Sequence, residues 1–89
     1  MEDADRAVMI LTRAITQAGA GEPTTPLIWY ELGRTFKSVG EMEKAAFAFA
    51  CAVQVDPGSK VRDKADVELT QLVTNGVTRP KPENCSSAP

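Results

Sequence analysis

The chain is 89 residues long, which suits one small domain rather than several. Its net charge of -2 argues against nucleic acid and anionic membrane as partners, because proteins that bind either concentrate Lys and Arg. The chain contains no histidine, which excludes serine–histidine and cysteine–histidine catalysis and histidine-ligated metals. It has no glycine-rich phosphate loop either. We therefore expect no enzymatic activity, no cofactor and no metal.

The two cysteines, Cys51 and Cys85, are widely separated in the sequence. This spacing does not indicate a disulfide framework, which favours a reducing compartment. Cys51 lies in the apolar run FAFACAV, so we expect a buried structural thiol rather than a nucleophile. The N-terminal MEDADRA is acidic, unlike a signal peptide, and the run AVMIL is too short to span a bilayer. The sequence thus predicts a soluble cytoplasmic protein.

Apolar residues recur at helical spacing in the first segment, residues 3–18, which predicts an amphipathic helix that Gly19 can end. The run AGAGEPTT that follows is rich in Gly and Pro and predicts a loop. A second helix, residues 26–39, is predicted to start behind Thr25, whose hydroxyl can accept from the first free N–H groups. Gly40 can supply the left-handed residue that stops this helix.

A third helix is predicted for residues 41–55, because the DPG that follows combines a helix-breaking Pro with a turn-forming Gly. A fourth helix, residues 59–75, has one apolar face and is otherwise charged, so it should cover something on one side only. Its apolar residues are Val61, Ala65, Leu69, Leu72 and Val73. Residues 77–89 are polar and Pro-rich, which predicts a disordered tail. With short loops and no strand pattern, the prediction is an all-α fold of antiparallel helices.

Large and small apolar residues stand at fixed offsets within residues 26–59. The pattern is Trp29-x2-Leu32-Gly33-x2-Phe36, then Ala45-x3-Phe49, then Pro57. It resembles the tetratricopeptide repeat, whose pattern is Trp-x2-Leu-Gly-x2-Tyr, Ala-x3-Phe and Pro, with Phe here in place of Tyr. The unit also has the length of that repeat. Gly33 and Ala45 have little or no side chain, so the two helices of the unit could approach closely.

The flanking segments match the family less completely. In residues 3–18, Ala-x3-Leu-x2-Ala starting at Ala7 repeats the spacing of Ala-x3-Phe-x2-Ala starting at Ala45, which implies half of a preceding repeat. Residues 59–75 lack the motif and resemble the polar capping helix that closes such arrays. The resemblance therefore implies one helical domain, residues 1–76, forming a right-handed α-solenoid fragment of about four helices.

Members of this family bind peptides or other proteins on a concave face that the first helix of each pair lines. By resemblance, the groove-facing residues here are Leu27, Tyr30, Arg34 and Lys37, and their spacing places them on one helical face. Tyr30 offers a ring with a polar tip, and the two basic residues offer charge-assisted donors. We therefore expect an adaptor or scaffold that binds an acidic or carboxylate-bearing protein segment. The alternative for these residues is a solvated helix face without a ligand.

Four consecutive apolar residues, Val8, Met9, Ile10 and Leu11, exceed what one face of the first helix can bury. A repeat array usually needs about three repeats for stability, and this chain has fewer. The alternative function is therefore a structural assembly element that self-associates, or completes a longer array, through its N-terminal helix. On either hypothesis the partner is a protein, in a homo-oligomer or a larger complex.

Overall fold

The computed structural model describes residues 2–18, 25–55, 60–82 and 85. These residues form four α-helices, α1 (Glu2–Ala18), α2 (Thr25–Ser38), α3 (Met42–Val55) and α4 (Lys60–Thr74). No strand occurs in these ranges, so the predicted all-α class is confirmed. Each helix begins and ends within one residue of its predicted bounds. Gly19 and the DPG turn were predicted to end the first and third helices, and both lie outside the described residues.

Two helices end at a glycine in the left-handed conformation. After α2, Gly40 has φ 84°, and the N–H of Glu41 donates to the carbonyl oxygen of Phe36 at 3.0 Å. After α4, Gly76 has φ 103°, and the N–H of Val77 donates to Leu72 at 3.0 Å. These bonds satisfy carbonyl groups that a helix end would otherwise leave unpaired. The prediction that Gly40 stops the second helix is confirmed.

The four helices pack in a row, each against the next in sequence. α2 contacts α1 and α3, while α4 contacts α3 and also reaches α2. Among the described residues, α1 contacts no helix other than α2. One end of the row is therefore α1, and the other end is formed by α4 together with the adjoining part of α3.

The core lies mainly between α2 and α3. Trp29, Leu32 and Phe49 are completely buried there, and the Trp29 ring meets the Phe47 ring edge to face with centroids 5.9 Å apart. Burying each large apolar side chain contributes roughly 1.5–3 kcal/mol. Gly33 allows the close approach, because a Cβ at this position would lie 2.7 Å from atoms of the Phe49 ring. The apolar residues of the repeat pattern thus form the contact between the two helices.

Helix α1 packs on α2 through part of its apolar surface. Ile15 is completely buried, and Val8 and Leu11 are partly buried against the core. Met9 and Ile10 point outward, with 60% and 59% of their surface exposed. Of the four apolar residues that were predicted to exceed what α1 can bury, only Met9 and Ile10 are exposed. Val8 and Leu11 pack against the core.

The prediction that Cys51 is a free thiol is wrong. Cys51 is completely buried in α3, as expected, but it forms a disulfide with Cys85, with Cα atoms 5.5 Å apart. Their sequence separation of 34 gave no indication of this pairing, because stacking of the helices decides which distant residues meet. Cys85 lies in the segment predicted to be a disordered tail, and in the structure it is buried. Val77 of the same segment also packs against the core.

Helix α4 covers α3 with the face formed by Ala65, Leu69 and Leu72, as its apolar pattern predicts. Val67 is exposed on the other side of the helix. In the part of the chain that the structure describes, no helix combines the length and apolar character needed to cross a membrane.

Candidate protein-interaction surface

The predicted groove residues share one side of α2, at the edge of the face that this helix buries. Because Leu32, Gly33 and Phe36 are buried, the 100° turn per residue directs Leu27 and Arg34 toward solvent. Both of these residues are exposed, whereas Tyr30 and Lys37 are half-buried. The four residues therefore share one side of the helix but differ in their availability to a partner.

Tyr30 connects this surface to the core. Its ring packs against the Phe49 ring at 5.8 Å between centroids, and the Arg34 guanidinium lies over the Tyr30 ring, 5.9 Å from its centroid. Arg34 also forms an ion pair of 3.7 Å with Glu31, one helical turn earlier. These contacts hold the guanidinium near the helix surface while leaving it exposed to solvent. Arg34 is thus a positioned and accessible cation.

Lys37 is already paired within the chain. Its Nζ donates to the Oε2 of Glu68 on α4 at 2.8 Å. This bond connects α2 with α4 and neutralises much of the charge that Lys37 was expected to offer a partner. Sequence reasoning did not include Glu68 in the site, because the two residues are separated by 31 positions and no local pattern joins them.

An open depression of about 430 Å³ lies between α2, the start of α3, and α4. Its lining residues are Arg34, Lys37, Ser38, Met42 and Glu68. Met42 is an exposed large apolar residue at this place. Of the predicted groove residues, the structure brings Arg34 and Lys37 into the depression, and Leu27 and Tyr30 lie outside its lining. The sequence pattern did not indicate Ser38 and Met42, because they lie at the turn between α2 and α3 and not at the helical spacing of the groove residues.

A second surface lies at the α1 end of the row. A depression of about 350 Å³ separates the first half of α1 from the turn between α2 and α3. Asp5 and Val8 line it on one side, and Phe36, Val39 and Lys44 line it on the other. Met9 and Ile10 are exposed beside it on α1 but do not line it. The predicted assembly edge therefore offers two exposed side chains rather than four.

Comparison of the chain with protein-family models, with curated proteins and with solved structures finds no match. Within the described ranges, no three His, Cys, Asp or Glu side chains are grouped in a way that could hold a metal ion. The row of helices, the depression beside Arg34 and the exposed edge of α1 are thus the observations from which a function can be proposed.

Proposed function

We propose that the chain is a protein-interaction module of the tetratricopeptide type, an adaptor or scaffold that binds an acidic protein segment in the depression beside Arg34. The observation that carries the proposal is the exposed guanidinium of Arg34 at the rim of a depression that also contains Lys37 and Met42. Support for a solenoid comes from the repeat pattern in residues 26–59 and from the row of helices in which α2 reaches both α3 and α4.

A carboxylate in this depression would accept from Arg34 and compete with Glu68 for Lys37. The guanidinium presents a planar set of donors that suits a carboxylate better than a single ammonium does. Exposed Met42 offers an adaptable apolar contact beside the charges. The segment best suited to this surface therefore carries an acidic side chain, or a terminal carboxylate, next to an apolar residue.

Selection from a random peptide library on the immobilised chain tests this proposal. We expect enrichment of acidic peptides and their loss on the variant Arg34→Glu. A charge-assisted hydrogen bond contributes roughly 1.5–3 kcal/mol, and each 1.4 kcal/mol changes Kd about tenfold. The matched control is Arg62→Glu, which reverses an exposed charge on α4 outside the depression and should leave binding unchanged. Equal enrichment of acidic peptides on the wild type and on Arg34→Glu would show that Arg34 is not part of the binding site.

The second candidate function is a structural assembly element, and the exposure of Met9 and Ile10 favours it. Neighbouring exposed apolar residues at the end of a helical row suit contact with another chain. The test is the molar mass of the wild-type chain and of the Ile10→Asp variant by light scattering, each measured unreduced and in dithiothreitol. Association that disappears in the variant would support this function, and association that persists would exclude Ile10 from the contact.

The Cys51–Cys85 disulfide bears on where such a module works. The expectation of a cytoplasmic protein rested partly on the absence of a disulfide framework, and the disulfide removes that part of its basis. Disulfides persist in oxidising surroundings and are rare in a reducing cytosol. We therefore expect the disulfide-bonded form in an oxidising compartment. Mass spectrometry of the chain isolated from such a compartment without reduction should find both cysteines in one intramolecular bond.

A further inference from the structure

The C-terminal strap, which we define as residues 77–82 and Cys85, lies against α3 and α4 without helical structure of its own. Its residues Arg79, Pro80, Lys81 and Pro82 face Ala50, Val53, Gln54 and Leu69 across a crevice of about 330 Å³. Two interactions anchor it at Cys85. One is the disulfide to Cys51, and the other is a hydrogen bond of 3.0 Å that the indole Nε1–H of Trp29 donates to the Cys85 carbonyl oxygen.

The strap lies where a fifth helix of the row would pack. α4 packs on α3, its predecessor, and also reaches α2, which lies two helices earlier. A helix that followed α4 by the same rule would lie on α4 and α3. The strap lies beside these two helices, because it is bonded to Cys51 of α3 and lines one crevice together with Leu69 of α4 and with Ala50 and Val53 of α3. It therefore closes the end of the row at which another helix could be added.

α1 forms the opposite end of the row. Among the described residues it contacts no helix other than α2, and Met9 and Ile10 are exposed on it. The helix α1 of a second copy could pack after α4 of the first copy and so continue its row of helices. Such a contact joins two different surfaces, so it can repeat from copy to copy and form a ring or an open chain.

We propose that the strap is an autoinhibitory cap, and that reduction of the Cys51–Cys85 disulfide releases it so that α1 of a second copy packs on α3 and α4. The proposal rests on the assembly function proposed above. It adds that the partner is a second copy of the chain and that the disulfide regulates the assembly. In the closed form Cys85 of the strap accepts the hydrogen bond of Trp29, and the chain cannot extend at this end. In the open form α1 of a second copy takes the place of the strap.

The chemistry of release is thiol–disulfide exchange with a dithiol. A thiolate of the dithiol attacks one sulfur, the S–S bond breaks, and a mixed disulfide forms. The second thiol of the dithiol then displaces the remaining cysteine, so that two electrons and two protons pass to Cys51 and Cys85 and the dithiol becomes a disulfide. Because Cys51 is 0% and Cys85 5% exposed, the attack requires a local opening of the strap.

The experiment compares the wild-type chain with Ile10→Asp, with the control Val67→Asp, and with Cys85→Ala, which cannot form the disulfide. Val67 is also exposed, but it lies on α4 away from the crevice under the strap. Each protein is measured unreduced and in dithiothreitol by light scattering, far-ultraviolet circular dichroism and emission of Trp29, the single tryptophan. Without dithiothreitol, we expect monomers of the three proteins that can form the disulfide. In dithiothreitol, the molar mass of wild type and Val67→Asp should rise with concentration. Ile10→Asp should remain monomeric, with Trp29 emission shifted to the red.

Five outcomes would overturn the proposal. The first three are a reduced wild type that stays monomeric, an Ile10→Asp variant that assembles like wild type, and a reduced Ile10→Asp variant whose Trp29 emission does not shift. The fourth is loss of helicity in both reduced wild type and Cys85→Ala, because the strap would then be a requirement for folding. The fifth is an unreduced wild type that already associates through Ile10, which would support the assembly function and still exclude the cap. Peptide selection at Arg34 is independent of all these results.

Discussion

The ring of Phe49 lies directly against the backbone of Gly33, so that a Cβ on residue 33 would lie 2.7 Å from both Cδ1 and Cε1 of the ring. Both residues are buried, and Phe49 is also in contact with the ring of Tyr30. The ring therefore has little room to move aside. The distance between α2 and α3 depends on the absence of a side chain at this one position.

Replacing Gly33 with Leu should destabilise the fold. Overpacking a core costs about 1–3 kcal/mol and occasionally more, because side chains and backbone must shift. Urea unfolding followed by circular dichroism measures the loss. The matched control places Gly33→Ala in wild type and in Phe49→Leu. The alanine should cost less stability in the second background, where the ring is absent, and an equal cost in both would contradict the role given to this contact.

The ion pair between Lys37 and Glu68 should show a measurable coupling energy. Its side chains are 39% and 25% exposed, against 60% and 46% for the Arg34–Glu31 pair. Exposed ion pairs contribute about 0.2–1 kcal/mol, and salt weakens them. A double-mutant cycle with Lys37→Met and Glu68→Gln should give a larger coupling than the same cycle at Arg34 and Glu31. A coupling at or below that of the more exposed pair would show that this bridge does not hold α4 on α2.

Replacing Trp29 with Phe should weaken the fold through the strap. The substitution removes the N–H that donates to the buried carbonyl of Cys85. An unsatisfied buried acceptor costs about 1–3 kcal/mol, in addition to the reduced packing of a smaller ring against Phe47. Equilibrium unfolding of Trp29→Phe and Phe47→Leu separates the two contributions, because the second variant keeps the hydrogen bond. Amide hydrogen exchange in residues 77–82 should accelerate in Trp29→Phe and remain nearly unchanged in Phe47→Leu.

Gly40 should tolerate Asn better than Ala. Its φ of 84° lies in the left-handed region, which costs an ordinary L-residue roughly 1–2 kcal/mol. In the described part of the chain nothing lies within 4 Å of a Cβ at this position, so the cost of Ala would come from the backbone alone. Asn enters this region more readily than Ala. Thermal unfolding of Gly40→Ala and Gly40→Asn should therefore rank Ala as the less stable, and the reverse order would contradict the backbone explanation.

The sequence by itself determined the positions of the four helices. The apolar residues of the helices recur at helical spacing, and Gly40 and Gly76 end two of the helices. The spacing and the terminal glycines are both local signals. The repeat pattern also indicated that Gly33 and Phe49 would lie at a close contact between two helices. Local signals sufficed here because a helix is made of hydrogen bonds between residues four apart.

Only the tertiary structure decided which distant residues meet. Cys51 and Cys85 are 34 positions apart, and Lys37 and Glu68 are 31 apart, so neither pair follows from periodicity. Likewise, four consecutive apolar residues in α1 did not reveal that Met9 and Ile10 would be the exposed ones, because that depends on the angle at which α1 packs on α2. The strap and the pairing of Lys37 both result from the way the helices stack, and stacking is set by the sum of many side-chain contacts across the row.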